Sequence, residues 1–269
     1  MIGAVGNPPA GRLLREWRRR RNLSQLALAT GSAVSARHLS FIETGRARPS
    51  REMVLHLADR LEVPLRERNR LLMAAGHAPL FAERSLDDDD MGQVREALNG
   101  FLAAHEPYPA VVLDRHWNIV LANRAVDLLT EGVAAELLEP PANALRVSLH
   151  PDGMAPRIVN LTEWSGHLIR RLRRRIVMTA DEDLERLHAE LVGYPGVDGD
   201  EGRSDVSTAA EIALPLQLRW GETELAFLST VTVFGTALDI TLAELALEAF
   251  YPANGETARA LGAHSNPIR

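Results

Sequence analysis

Arg37 and Phe41 stand four residues apart in Ser35-Ala36-Arg37-His38-Leu39-Ser40-Phe41-Ile42-Glu43, so on a helix they share one face while Leu39 and Ile42 take another. Arginine's planar fork can span O6 and N7 of a guanine, and Phe41 or Ala36 can touch a thymine methyl group. His38 points outward too, Ser40 lies beside it, and Ser35 is placed to cap the helix. These residue types at this spacing suit the reading of base edges in a DNA groove. Gln25, at the start of the preceding helical stretch, is placed for a phosphate contact, and Arg46 and Arg48 can follow the backbone of the same duplex.

Catalytic chemistry finds little footing elsewhere. Ser148, His150 and Asp152 alternate and would share a face of extended chain, but a hydrolase triad assembles from distant loops, and no nucleophile elbow is present. His150, Asp152 and His167 lack a metal-ligand spacing, and the absence of cysteine removes disulfides, thiolate sites and cysteine nucleophiles. His150-Pro151-Asp152 matches the J-domain tripeptide without its helix pair. The run Arg170-Arg171-Leu172-Arg173-Arg174-Arg175 carries Leu168, Ile169, Leu172 and Ile176 as an apolar stripe, which reads as a solvated basic face. No cofactor or metal is expected.

The elements that must position the first group are short helices. Leu13, Leu14 and Trp17 begin one; Ser24 and Ser35 can cap the next two, with Leu28, Ala29, Val34, Leu39 and Ile42 spaced to pack that pair. Pro49-Ser50 and Pro64 open a fourth and a fifth. An all-α five-helix domain over 1–80 is expected, then a linker over 81–92, overlapping the Pro- and Asp-containing stretch Gly76–Asp90. The texture then changes. Ala110–Leu113 and Trp117–Ala122 flank an Asp114-Arg115-His116 turn, and Ala213–Trp220 and Thr223–Phe234 flank Gly221-Glu222. Asn160…Glu163, Thr179…Glu182 and Thr241…Glu244 have capping-box spacing before apolar periodic stretches, and Tyr194–Asp205 reads as a loop. The fold class is α+β, with an antiparallel-sheet domain and covering helices over 93–255 and a C-terminal tail over 256–269.

Charge divides the same way. Residues 1–84 hold 15 Arg against 7 Asp or Glu, and the remainder holds 15 Arg against 29, within a chain of net charge −6. A basic head and an acidic body imply that only the head approaches phosphate. All basic residues are Arg, which we read as the codon bias of a GC-rich genome. The start lacks the layout of a signal peptide, and no run of about 18 apolar residues could span a membrane, so a cytoplasmic protein is expected.

Leu23-Ser24-Gln25-Leu26-Ala27-Leu28-Ala29, the capped second helix, and Ile42-Glu43-x-Gly45-x-x-x-Pro49 together resemble the Cro/repressor-like (Xre) helix-turn-helix family over residues 11–76. Ala33 stands where that family usually has Gly at the turn. Over nearly the whole chain, Arg46–Arg51, Pro64–Asn69, Leu71–Gly76, Ser148–Gly153, Pro156–Asn160 and Thr230–Thr236 run in an order that resembles MmyB-like regulators. That resemblance implies a PAS-like C-terminal domain that binds a small lipophilic, fatty-acid-like molecule. Binding to double-stranded operator DNA is expected of a homodimer, because a single reading module buries too little for specificity. In such a domain Trp117, Ile119, Leu121, Trp164, Leu168, Leu172, Phe227, Val231 and Val233 are the candidates for an apolar cavity, and Arg146, His150 and His167 for a carboxylate anchor. Ordinary core packing explains any one of the former, and a structural hydrogen bond any of the latter. A protein-interaction module in place of a ligand-binding one stays open at this level.

Overall fold

A computed structural model describes residues 10–199 and 214–265. The chain divides into two compact units, Met1–Arg84 with Thr236–Ala243, and Ser85–Gly235 with Glu244–Arg269. The first is helical: α1 (Ala10–Arg20), α2 (Gln25–Gly31), α3 (Ala36–Glu43), α4 (Arg51–Arg60) and α5 (Leu65–Ala74). Ser24, Ser35 and Ser50 cap α2, α3 and α4, each side chain accepting a backbone N–H three residues on, which satisfies donors that the first turn leaves open. Leu14, Trp17, Leu28, Leu39, Ile42, Leu57, Leu71 and Leu72 are buried in one core. Gly11 lets α1 approach the end of α3, since a Cβ there would stand 2.0 Å from the Ile42 carbonyl oxygen. Buried Asn69 on α5 accepts from Leu80 and Phe81 N–H and donates to the Phe81 carbonyl, fixing the chain that follows. The 236–243 segment joins this unit through Ile240 N–H to the Ala82 carbonyl (2.8 Å) and Arg84 to Asp239 (3.1 Å).

The second unit contains α6 (Gly92–His105), β1 (Ala110–Leu113), β2 (Ile119–Ala122), α7 (Val126–Thr130), α8 (Ala135–Leu138), α9 (Ala144–Leu149), α10 (Leu161–Thr179), α11 (Glu182–Leu191), β3 (Leu216–Trp220), β4 (Thr223–Val233), β5 (Ala246–Pro252) and α13 (Gly255–Ser265); α12 (Ile240–Glu244) precedes β5. The strands form one antiparallel sheet in the order β2-β1-β5-β4-β3. Inward residues of β1, β3, β4 and β5 share a core with α7, α9, α10 and α11. The fold is thus α+β, five helices followed by a five-stranded antiparallel sheet with helices.

Four local features depart from the sequence expectations. Thr179 does not cap α11: it ends α10, its hydroxyl donating to the Arg175 carbonyl (2.8 Å), and Asp181 is the cap instead. Thr241…Glu244 does not open a long helix: Asp239 accepts the Thr241 N–H (2.9 Å), α12 stops at Glu244, and the chain becomes the central strand β5. Asn160 precedes α10 without a side-chain capping bond; its amide instead spans the Gln217 N–H and the Pro215 carbonyl, tying α10 to the chain entering β3. A helix, α13, occupies Gly255–Ser265, where the sequence reads as a tail; Asn254 accepts the Thr257 N–H and Leu261 is buried. Residues 200–205 of the expected Tyr194–Asp205 loop, and the first residue of the Ala213–Trp220 run, lie outside the described residues.

Candidate nucleic-acid interface and apolar cavity

In the first unit, α2 and α3 meet across a turn closed by Val34 N–H to the Ala29 carbonyl (3.0 Å) and by the Ser32 hydroxyl to the Leu28 carbonyl (2.6 Å). Ala33 takes the left-handed conformation there, at φ 52°, which glycine adopts most readily. Leu39 and Ile42 anchor α3 inward, while Ser35, Ala36, Arg37 and His38 are exposed and Ser40 and Phe41 half-buried. The Arg37 guanidinium lies over the Phe41 ring at 5.4 Å. Gln25 is held from inside: its Nε2 donates to Glu43 Oε2 (2.9 Å), which also receives Arg18. Arg48 donates to the carbonyls of Ala75 (2.7 Å) and Gly76 (3.2 Å), so its guanidinium caps the end of the α5 segment, whereas Arg46 is exposed. The exposed side chains of α3 thus centre on Ala36, Arg37 and His38, with Phe41 half-buried beside them.

In the second unit a cavity of about 70 Å³ opens under the sheet. Val111 and Leu113 of β1, Trp117 and Ile119 of the following turn and strand, and Phe250 and Glu248 of β5 form its floor. Val126, Leu129 and Thr130 of α7, Ala144 to Ser148 of α9 (Arg146 apart), Trp164 and Leu168 of α10, Met154 and Leu216 complete it. Four of the expected lining residues, Trp117, Ile119, Trp164 and Leu168, meet here. Leu172 and Phe227 are fully buried in the surrounding core, Leu121 is half-buried, and Val231 and Val233 are exposed beyond the end of β3's pairing with β4.

The three candidate anchors lie outside the lining. Arg146 makes a two-pronged pair with Glu190 (2.8 and 2.7 Å), to which Tyr194 also donates. The hydrogen bond from Arg146 holds the Glu190 carboxyl below the usual range, and burial, then Glu190, pushes the Tyr194 phenol up to about 12. His150 Nδ1 accepts the Asp152 N–H (3.0 Å), and its ring meets Tyr194 edge-on. His167 stacks on Trp164 at 5.7 Å; burial, then Arg171 and Arg170, pushes its pKa down. His116, Asp181 and Asp183 bring ligand atoms within 4.8 Å of one another, and Arg115 (3.3 Å from Asp181) and Arg186 (on Asp183) pair with the two carboxylates.

Sequence reasoning missed Glu248. It belongs to β5, and its only signal was a charge set in period two between Ala246 and Phe250, inside a stretch whose neighbours resembled a helix start.

Residues 94–263 match the family described as MmyB-like transcription regulator ligand binding domain, and residues 10–71 match a helix-turn-helix domain. The chain belongs to the MmyB-like transcription regulators. An uncharacterized HTH-type transcriptional regulator of Bacillus subtilis (strain 168), RghRB, is 36% identical over 105 residues, 39% of this chain and 67% of that one. Among solved structures, an RNA-binding light-oxygen-voltage receptor aligns over 94% of this chain at 15% identity and a TM-score of 0.28, too slight a likeness to bear on fold or function; the chain spans 61% of that receptor. In this MmyB-like regulator the helix-turn-helix domain is the DNA-binding part, and the cavity lies inside the ligand-binding domain.

Proposed function

We propose that this chain is a bacterial, sequence-specific transcription regulator that binds its operator as a homodimer through α3 and is controlled by a small lipophilic, fatty-acid-like effector. The observation that carries the effector reading is the cavity, whose lining is apolar apart from Thr130, Ser148 and Glu248. The strand order β2-β1-β5-β4-β3 with helices over one face supports a PAS-like domain around it. At about 70 Å³ it holds a small group, well short of the roughly 300 Å³ or more of a pocket for a larger ligand, so a long tail enters by widening it. An effector that binds the widened state better shifts the protein toward that state, and the paired DNA-reading heads with it.

Dimeric binding follows from the size of the reading head, because one such module buries too little DNA for specificity and two half-sites one helical turn apart supply the rest. No helix among the described residues is long and apolar enough to cross a membrane, which supports a cytoplasmic site of action. Native mass spectrometry of the freshly purified protein, beside a denatured control, tests the effector. Extra mass of about a few hundred daltons that disappears on denaturation is expected of a drug-sized lipophile. A bare mass, with no thermal shift on adding medium-chain lipids, moves the function of this domain to a protein partner.

A further inference from the structure

Glu248 is the one charged group among the described residues that line the cavity. It stands on the central strand of the sheet and is 5% exposed. Arg171 of α10 meets it, Nη1 lying 2.9 and 3.1 Å from the two carboxylate oxygens. The guanidinium lies over the Trp117 indole at 4.4 Å. Trp117 itself is held at φ 69°, an outlier for so bulky a residue. Buried ion pairs are often no better for stability than apolar residues of the same volume, and strained backbone collects where ligands bind. An acceptor-only group in the lining of an apolar cavity is therefore best understood by what it would accept.

The remaining polar lining is two hydroxyls, of which Ser148 keeps its own O–H proton to donate. The Thr130 hydroxyl donates to the Val126 carbonyl (3.2 Å), leaving lone pairs, and the Ser148 hydroxyl oxygen accepts from Trp164 Nε1 (3.1 Å). The cations that could hold an anion are absent from the lining: Arg146 is engaged by Glu190, and Arg171 stands behind Glu248. A carboxylate brought against Glu248 would meet its carboxylate oxygens first, since Arg171, which offsets part of their charge, is not among the lining residues.

We propose that the polar end of the effector carries a hydrogen-bond donor, a hydroxyl or an ammonium, that Glu248 accepts, while Arg171 stacked on Trp117 holds the Glu248 carboxylate in place. This rests on the cavity being the effector site. A fatty tail can fill the apolar part, but a carboxylate head does not sit at Glu248.

The test is calorimetric titration of the full-length chain near neutral pH with n-octylamine, 1-octanol and octanoate, repeated on Glu248→Gln. The amine and the carboxylate both lose a charged hydration shell on burial, so their difference reports the sign of the charge awaiting them. Octylamine is expected to bind about tenfold or more tighter than octanoate, the size of one charge-assisted hydrogen bond, and that gap is expected to fall below about threefold in Glu248→Gln, with uncharged octanol measuring the apolar contribution common to all three. The ranking in the unaltered chain decides by itself if the variant folds poorly. Octanoate binding as tightly as octylamine, or a gap unchanged in Glu248→Gln, overturns the donor inference and leaves the cavity as a lipophile site. Binding of none of the three overturns the lipophile reading itself, and this inference with it.

Discussion

Arg18 and Glu43 meet in a two-pronged ion pair, Nε to Oε1 at 2.6 Å and Nη2 to Oε2 at 2.9 Å, with their side chains only 11% and 3% exposed. Gln25 donates to the same carboxylate, so one buried group joins α1, the start of α2 and the end of α3. Glu43→Ala leaves a desolvated guanidinium without its partner and is expected to lower the unfolding free energy by about 3 kcal/mol. Urea unfolding of the full-length protein measures this. A loss under about 1 kcal/mol, the worth of an exposed pair, would show that water already screens it.

Ala33 supplies a second stability test. At φ 52° it occupies a conformation that costs an L-residue about 1 kcal/mol, yet the turn keeps its Val34-to-Ala29 hydrogen bond. Ala33→Gly relieves that cost, less the added freedom of glycine in the unfolded chain, for an expected gain of about 0.5 kcal/mol. Ala33→Val is expected to destabilise instead. If glycine lowers the thermal midpoint, packing of the Ala33 methyl outweighs the backbone term.

The turn also shows where the sequence was legible. Serine caps, apolar spacing and the helix count of the first domain are local signals, and local hydrogen bonds satisfy them. The second domain depends on pairings of long sequence separation. β5 sits between β1 and β4, so its backbone is satisfied by strands at 110–113 and 228–233, which no cap near Thr241 reveals. Gln25 and Arg48 suited phosphate by type and place, but the fold supplies each with an internal acceptor that only tertiary structure brings near. For the cavity, the large apolar residues of β2 and α10 pointed the right way, while Val231 and Val233 lie where β4 has outrun its pairing with β3.

Arg37 tests the reading head. It is exposed on α3 and set over Phe41, which limits the rotamers it must give up on binding. Arg37→Ala is expected to weaken operator binding by roughly 1–3 kcal/mol while leaving binding to random duplex nearly intact. Fluorescence anisotropy on both DNAs at one salt concentration measures the difference. Equal losses on the two would assign Arg37 to phosphate.

His167 gives the protein a defined acid sensitivity. Burial is the larger cause and Arg171 with Arg170 the next in lowering its pKa, with Glu248 opposing them. The unfolded chain therefore takes up this proton first, so the folded state loses stability as pH falls through and below about 6.5. His167→Asn is expected to flatten the fall in the urea midpoint between about pH 7 and about pH 5. An unchanged slope would place the acid sensitivity with other groups, such as His188, whose pKa is likewise lowered, first by burial.

Ala144 lines the cavity from the first turn of α9, and its N–H donates to the Trp117 carbonyl (2.8 Å), so its backbone is fixed whatever side chain it carries. Ala144→Leu directs added methyl groups into the void. Filling it is expected to stabilise the ligand-free protein by about 0.5–2 kcal/mol, the usual gain from occupying an apolar cavity without strain. The same change removes the space a lipophile needs, so the thermal shift given by 1-octanol should disappear while operator binding by the ligand-free protein persists. Retention of the full shift in a folded Ala144→Leu protein would move the effector site away from this cavity.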